Sequence, residues 1–179
     1  MSADIHKFGY APKGCSIVLY RTRELADYQP FSFDNWTGGQ YFVPTFPGSR
    51  PGGAIAAAWA VLNYLGEPGY LRMTERCLIA TERFIEGIRS IHGLNVDGEP
   101  RYNLFAFTSR DADVAAIGVG MRQRGWMLGL QGKPPSSLHL TVTPAHDRVV
   151  DDFLADLTVV VERVVAGNIT APDVVARYS

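Results

Sequence analysis

Apolar residues recur at three- and four-residue steps through "GYLRMTERCLIATERFIEGIRSI", where Leu71, Leu78, Ile79, Phe84, Ile85 and Ile88 predict a long amphipathic helix. The stretch before it, "AIAAAWAVLNYL" over 54–65, is rich in helix formers, with "PGG" ahead of it and Gly66 behind it as start and stop signals. Beyond the second helix the period changes. Strands are predicted at 102–108, at 126–130 and in "LHLTVT", and helices over 111–124 and 148–165, the first of them opening on Asp111 and Asp113, which suit a helix dipole. That order predicts a small α+β domain whose sheet is covered by helices on one side.

The leading residues read differently. "CSIVLY", 15–20, is a short apolar and β-branched run behind Pro12 and Gly14, and predicts a buried strand after a turn. From 24 to 53 the aromatics Tyr28, Phe31, Phe33, Trp36, Tyr41, Phe42 and Phe46 mix with Gly and Pro and hold neither a helical nor a strand period. An irregular stretch of that length inside a compact protein points to a functional loop. Residues 1–53 cannot close a core alone, and they are expected to be the end of a larger α/β domain, followed by linker helices over 54–92, the small α+β domain over 93–166 and a tail over 167–179.

Composition narrows the class. The 179 residues are 46% hydrophobic and 20% charged, with a formal net charge of -1, which describes a globular chain with no basic excess for nucleic acid. The longest strongly apolar run, 54–62, is too short to span a bilayer. Cys15 and Cys77 stand far apart with no second Cys or His at zinc spacing, so neither a disulfide framework nor a metal site is expected, and a reducing cytoplasmic location fits.

The residues that could carry chemistry crowd the start, in "SADIHKFGYAPKGC". Lys7 is a candidate amine for a Schiff base, a task that requires a lysine at the mouth of a site with its neighbours positioned. His6 stands beside it, and Gly9 would let backbone approach a ligand closely. In "GSRPGG", Gly48, Ser49 and Arg50 offer amides, a hydroxyl and a guanidinium directly before a helix, an anion-friendly sequence that is equally compatible with a simple capping turn. Trp36 and Tyr41 suit either a substrate channel or packing between subunits, and His139 and His146 suit ordinary structural roles. Asp151, Asp152 and Glu162 read as a solvated helix face.

"SADIHKFGYAPKGCSIVLY" resembles the cofactor-lysine segment of the pyridoxal-phosphate-dependent sphingosine-1-phosphate lyases, relatives of the group II amino-acid decarboxylases in the fold-type I superfamily. "NWTGGQYFVPTFPGSRPGG" is similar to the same family's aromatic, glycine-rich loop, and "AAAWAVLNYLGEPGY", "GW" and "PPSSLHLTVTPAH" continue the likeness to about Ala166. The resemblance implies an α/β fold, the C-terminal part of an aspartate aminotransferase-like enzyme, with pyridoxal 5'-phosphate as cofactor. It implies that Lys7 holds the cofactor covalently, that His6 lies beside its phosphate, and that Lys13 helps in proton transfer. Gly48 and Ser49 would cross a homodimer interface to the neighbouring subunit's cofactor phosphate. The activity implied is carbon–carbon cleavage of a phosphorylated sphingoid base to a fatty aldehyde and phosphoethanolamine. A decarboxylase of the same superfamily and a non-catalytic dimerisation fragment are the alternatives. Nothing in the 179 residues matches the family's ring-stacking residue, the acid facing the pyridine nitrogen or most phosphate ligands, so the resemblance implies the C-terminal portion of such an enzyme.

Overall fold

A computed structural model of the chain describes residues 1–132 and 134–172; the expected tail lies outside the described residues from 173 onward. The chain divides into two compact units, Met1–Tyr70 and the residues from Leu71 on.

The first unit opens with β1 (Ser2–Asp4) and β2 (Ser16–Val18), paired antiparallel so that Asp4 lies opposite Ser16. After the short α1 (Arg23–Ala26), capped by the Thr22 hydroxyl, β3 (Phe31–Phe33) and β4 (Tyr41–Val43) form a second two-stranded ladder. The aromatic stretch is therefore not irregular throughout: Phe31, Phe33, Trp36 and Tyr41 make tilted and edge-to-face ring contacts around this hairpin. Its strands are three residues each, too short for a period to be read.

α2 (Gly52–Ser90) follows, and it is broken at Gly66, where φ is 56° and ψ is -178°. Only glycine adopts that backbone readily, and Pro68 two residues later disfavours an unbroken turn, so the two helices expected from the sequence meet at a kink.

The second unit holds the core. Its sheet runs β5 (Leu94–Val96), β6 (Leu104–Ser109), β8 (Ser137–Thr141) and β7 (Gly129–Gln131) in that spatial order, with every neighbour antiparallel. Phe107 lies opposite Leu138 and both are fully buried. α3 (Val114–Gln123) starts at Asp113, whose carboxylate accepts the Ala115 amide at 2.9 Å, as the acids at this start predict. A 3₁₀ turn (Pro144–Arg148) leads into α4 (Val150–Val165), which buries Phe153, Leu157, Val160, Val161 and Val164 at helical spacing. From α2, the residues that join this core are Cys77, Ala80, Phe84, Ile85 and Ile88.

That face corrects the one expected. Leu71 and Ile79 are exposed, because at about 100° per residue Ile79 points away from the row formed by Cys77, Ala80, Phe84 and Ile88. A second correction concerns "CSIVLY". Ile17 and Val18 of β2 are exposed rather than buried, since β1 is the only strand paired with β2 among the described residues. In the first unit Ala11 and Ala58 are the buried apolar side chains among the described residues.

Candidate active site

Lys7 sits in the turn that follows β1, and that turn is tied down on several sides. The Lys7 amide donates to the Asp4 carbonyl at 3.0 Å, Tyr10 N–H to the Lys7 carbonyl at 3.0 Å, and Ala11 N–H to the Ile5 carbonyl at 3.1 Å. Tyr10 has a positive φ of 58°, a strained conformation for a side chain of its size. From α2, the Tyr70 hydroxyl donates to the Gly9 carbonyl at 2.9 Å while its ring stacks on Tyr10 with centroids 6.2 Å apart.

Gly9 serves this turn rather than a ligand. A Cβ at Gly9 would stand 2.4 Å from the Ile5 carbonyl oxygen and 2.8 Å from Ile5 Cα, so the space expected to admit a ligand is taken by the turn's own backbone.

The Lys7 Nζ lies 2.6 Å from Asp4 Oδ2, and the Ser16 hydroxyl donates to Asp4 Oδ1 at 2.6 Å. Both oxygens of one carboxylate are thus engaged. The Lys7 hydrogen bond, then the Ser16 hydrogen bond, hold the Asp4 carboxyl below its ordinary range. Sequence reading missed Asp4 and Ser16. The D-x-x-K spacing was the available signal for the first, but the strand register that brings in the second was not visible.

His6 Nδ1 lies 3.2 Å from the Cys15 carbonyl, which can only accept, so Nδ1 carries the hydrogen. With Nδ1 committed, His6 can donate to an anion through Nε2 only as the doubly protonated ring. Lys13 is exposed on the far limb of the β1–β2 connection, next to Gly14. Gly14 packs against the start of α2: a Cβ there would lie 3.1 Å from the Ala54 side chain. Gly48 and Ser49, both exposed, belong to the segment that enters that helix, and the Gly48 amide donates to Thr45 at 3.3 Å. The first turn of α2 contains no acidic residue, and Cβ atoms at Gly52 and Gly53 would meet nothing, so its amide end is open to an anion.

The other candidates have structural partners. His146 Nδ1 accepts the Thr143 amide at 2.8 Å, and the His139 ring occupies the space that a side chain at Gly129 would need. Asp151 pairs with Arg83 at 2.7 Å. Among the described residues no cluster of His, Cys, Asp and Glu is arranged to hold a metal ion, and no helix is long and apolar enough to cross a membrane.

Over 166 residues, 93% of this chain, the sequence is 45% identical to the sphingosine-1-phosphate lyase of Arabidopsis thaliana, a match that spans 30% of the plant protein. The solved sphingosine-1-phosphate lyase of Burkholderia pseudomallei superposes with a TM-score of 0.87 at 39% identity, over 93% of this chain and 38% of that one. The chain is homologous to the sphingosine-1-phosphate lyases. It spans about 30% of the length of the curated lyases that it matches. Glutamate decarboxylase from Lactobacillus brevis shares the fold alone, with a TM-score of 0.76 at 15% identity over 91% of this chain and 40% of that one. The α/β architecture of part of a fold-type I enzyme, expected from the sequence, is borne out by these superpositions with the lyase and the decarboxylase. No family model matches the chain.

Proposed function

We propose that this chain is the lysine-bearing part of a pyridoxal-phosphate-dependent carbon–carbon lyase acting on a phosphorylated long-chain amino alcohol. The observation that carries the reading is the Lys7 turn: an exposed side chain whose amine is paired with Asp4, with His6 beside it, on a backbone fixed by Ala11, Tyr10 and Tyr70. The homology to lyases supports the reaction class.

The residues present fit the cofactor in part. Lys7 would supply the amine for its aldehyde; Ser49, the open amide end of α2 and doubly protonated His6 would suit its phosphate, with Gly48 and Ser49 serving the neighbouring subunit of a homodimer. When bound, pyridoxal phosphate supplies an electron sink for the pair left on the carbon beside the amine as the adjacent carbon–carbon bond breaks. Lys13 would take the proton of the substrate's 3-hydroxyl, so that C3 leaves as the aldehyde carbon and C2, after regaining a proton, leaves as phosphoethanolamine. The exposed aromatic hairpin supports pairing of two chains, and the free thiols Cys15 and Cys77 fit a cytoplasmic setting. In this reading residues 1–53 end a cofactor-binding domain, 54–92 link, and 93–166 form the small domain.

The test is borohydride reduction of the chain in the presence of pyridoxal phosphate, followed by peptide mass analysis. A cofactor adduct confined to Lys7 and lost in Lys7→Ala is the expected result. Modification spread evenly over exposed lysines would overturn the reading. Release of carbon dioxide from amino acids, in place of aldehyde from a phosphorylated sphingoid base, would favour the decarboxylase.

A further inference from the structure

Asp4 and Lys7 lie three residues apart across the end of β1, and the carboxylate side of their exposed ion pair is fixed by the strand ladder. Register in the β1–β2 ladder sets Asp4 directly opposite Ser16, and the Ser16 hydroxyl fixes one carboxylate oxygen at 2.6 Å while the other meets Lys7 Nζ at 2.6 Å. The Asp4 side chain is 34% exposed and that of Lys7 65%, so the pair is reachable by small solutes.

We propose that Asp4 is the positioning residue of Lys7: clamped by Ser16, its carboxylate holds Nζ as an ammonium, and opening of this pair makes the amine available. The proposal rests on the reading of Lys7 as the cofactor lysine. A neutral nitrogen lone pair is what adds to an aldehyde, so whatever retains the proton on Nζ delays that addition. Coupling between the two sites is reciprocal. The 2.6 Å contact acts on both partners: the Lys7 ammonium favours ionised Asp4, and ionised Asp4 favours the ammonium. The other titratable groups of this turn are His6, whose charge, when present, acts on Asp4 in the same direction as that of Lys7, and the hydroxyls of Tyr10 and Tyr70, of which Tyr70 is committed to the Gly9 carbonyl. Asp4 meets the amine at 2.6 Å.

The probe is formaldehyde with cyanoborohydride, which methylates neutral amines without needing the cofactor. The rate at Lys7 is read by peptide mass analysis against Lys13 in the same sample, across a pH series. Exposed pairs couple weakly, so Asp4→Asn is expected to raise the Lys7 rate near neutral pH about two- to fivefold and move its pH midpoint down, with Lys13 unchanged. Asp4→Glu, which keeps the charge, should stay near wild type, and Ser16→Ala should fall between wild type and Asp4→Asn. In the unmodified protein, raising salt from about 0.05 to 1 M should speed Lys7 more than Lys13, a measurement that needs no variant to fold. A Lys7-to-Lys13 ratio that ignores both Asp4→Asn and salt overturns the proposal. Trapping of pyridoxal phosphate is scored separately. If methylation of Lys7 responds to Asp4 but the cofactor never traps there, Asp4's hold on the proton stands and the cofactor reading falls.

Discussion

Gly9→Ala is the sharpest test of how the Lys7 turn is built. The φ of Gly9 is not in the left-handed region, so alanine carries no backbone strain there and the whole effect is steric. The added methyl would stand 2.4 Å from the Ile5 carbonyl oxygen, about 1 Å inside ordinary contact, and that oxygen is the acceptor for the Ala11 amide at 3.1 Å. Because the obstacle is backbone, no rotamer change relieves it. Loss of one hydrogen bond costs roughly 0.5–1.5 kcal/mol and forced overpacking roughly 1–3 kcal/mol, so opening of this turn should become easier by about 2–4 kcal/mol. Hydrogen exchange measured on peptides covering 5–15 reads this directly. Exchange of the Ala11 amide should accelerate by at least tenfold, while α3 and α4 amides keep their protection, and borohydride trapping of cofactor at Lys7 should fall. If the Ala11 amide and Lys7 trapping both match wild type, the close approach does not hold the turn and the account of Gly9 is refuted.

Other outcomes follow from the second unit. Phe107→Ala, at a fully buried site opposite Leu138, should cost about 3–5 kcal/mol in denaturant unfolding, and Lys7 methylation measured on the still-folded protein should not respond. Asp113→Ala removes the side-chain cap of α3 and should cost about 1 kcal/mol, with Asp113→Ser retaining most of it. Trp126 first, then Arg124, hold the Asp156 carboxyl below its ordinary value of 3.8, and Arg76 does the same for Asp147. A carboxyl depressed on folding stabilises the fold above its unfolded value and loses that contribution as pH falls through the lower folded value. Stability of this unit should therefore hold from neutrality to about pH 4 and decline below it, and Asp156→Asn should flatten that acid limb in a thermal-melt series.

The helices were legible because period and punctuation agree there: Asp113 marks the start of α3, and Gly66 with Pro68 marks the break in α2. The buried face of α2 was misread because its inner row includes Cys77 and Ala80, small residues that hydrophobicity alone ranks below Leu71 and Ile79. β2 was correctly apolar and wrongly buried, since a sequence reports that a strand needs cover and not what lies over it. At the site, Lys7 and His6 were readable as neighbours in a turn. The clamp on Asp4 was not, because Ser16 is twelve residues away and comes alongside only through strand register.

The distribution of burial bears on how such a site can be ordered. Every member of the hydrophobic core cluster lies beyond Leu71, while the unit that carries Lys7 leaves Ile17, Val18, Phe31, Phe42 and Trp59 exposed. Within this chain the Lys7 turn is therefore held by polar and backbone contacts and one ring stack: the Asp4 carboxylate, the Ile5 and Gly9 carbonyls, the Tyr70 hydroxyl and the Tyr10–Tyr70 rings. Contacts of that kind contribute about 1 kcal/mol each and open locally at far lower cost than a core. In the proposed reading Lys7 would release a proton, take up a carbonyl and later let it go, and such a setting serves that cycle provided its geometry is over-determined by several weak ties rather than one strong one. The apolar surface left uncovered in the same unit is where association can add to that order, for burying it would stabilise the hairpin and the helix on which Tyr70 stands without touching the polar clamp itself.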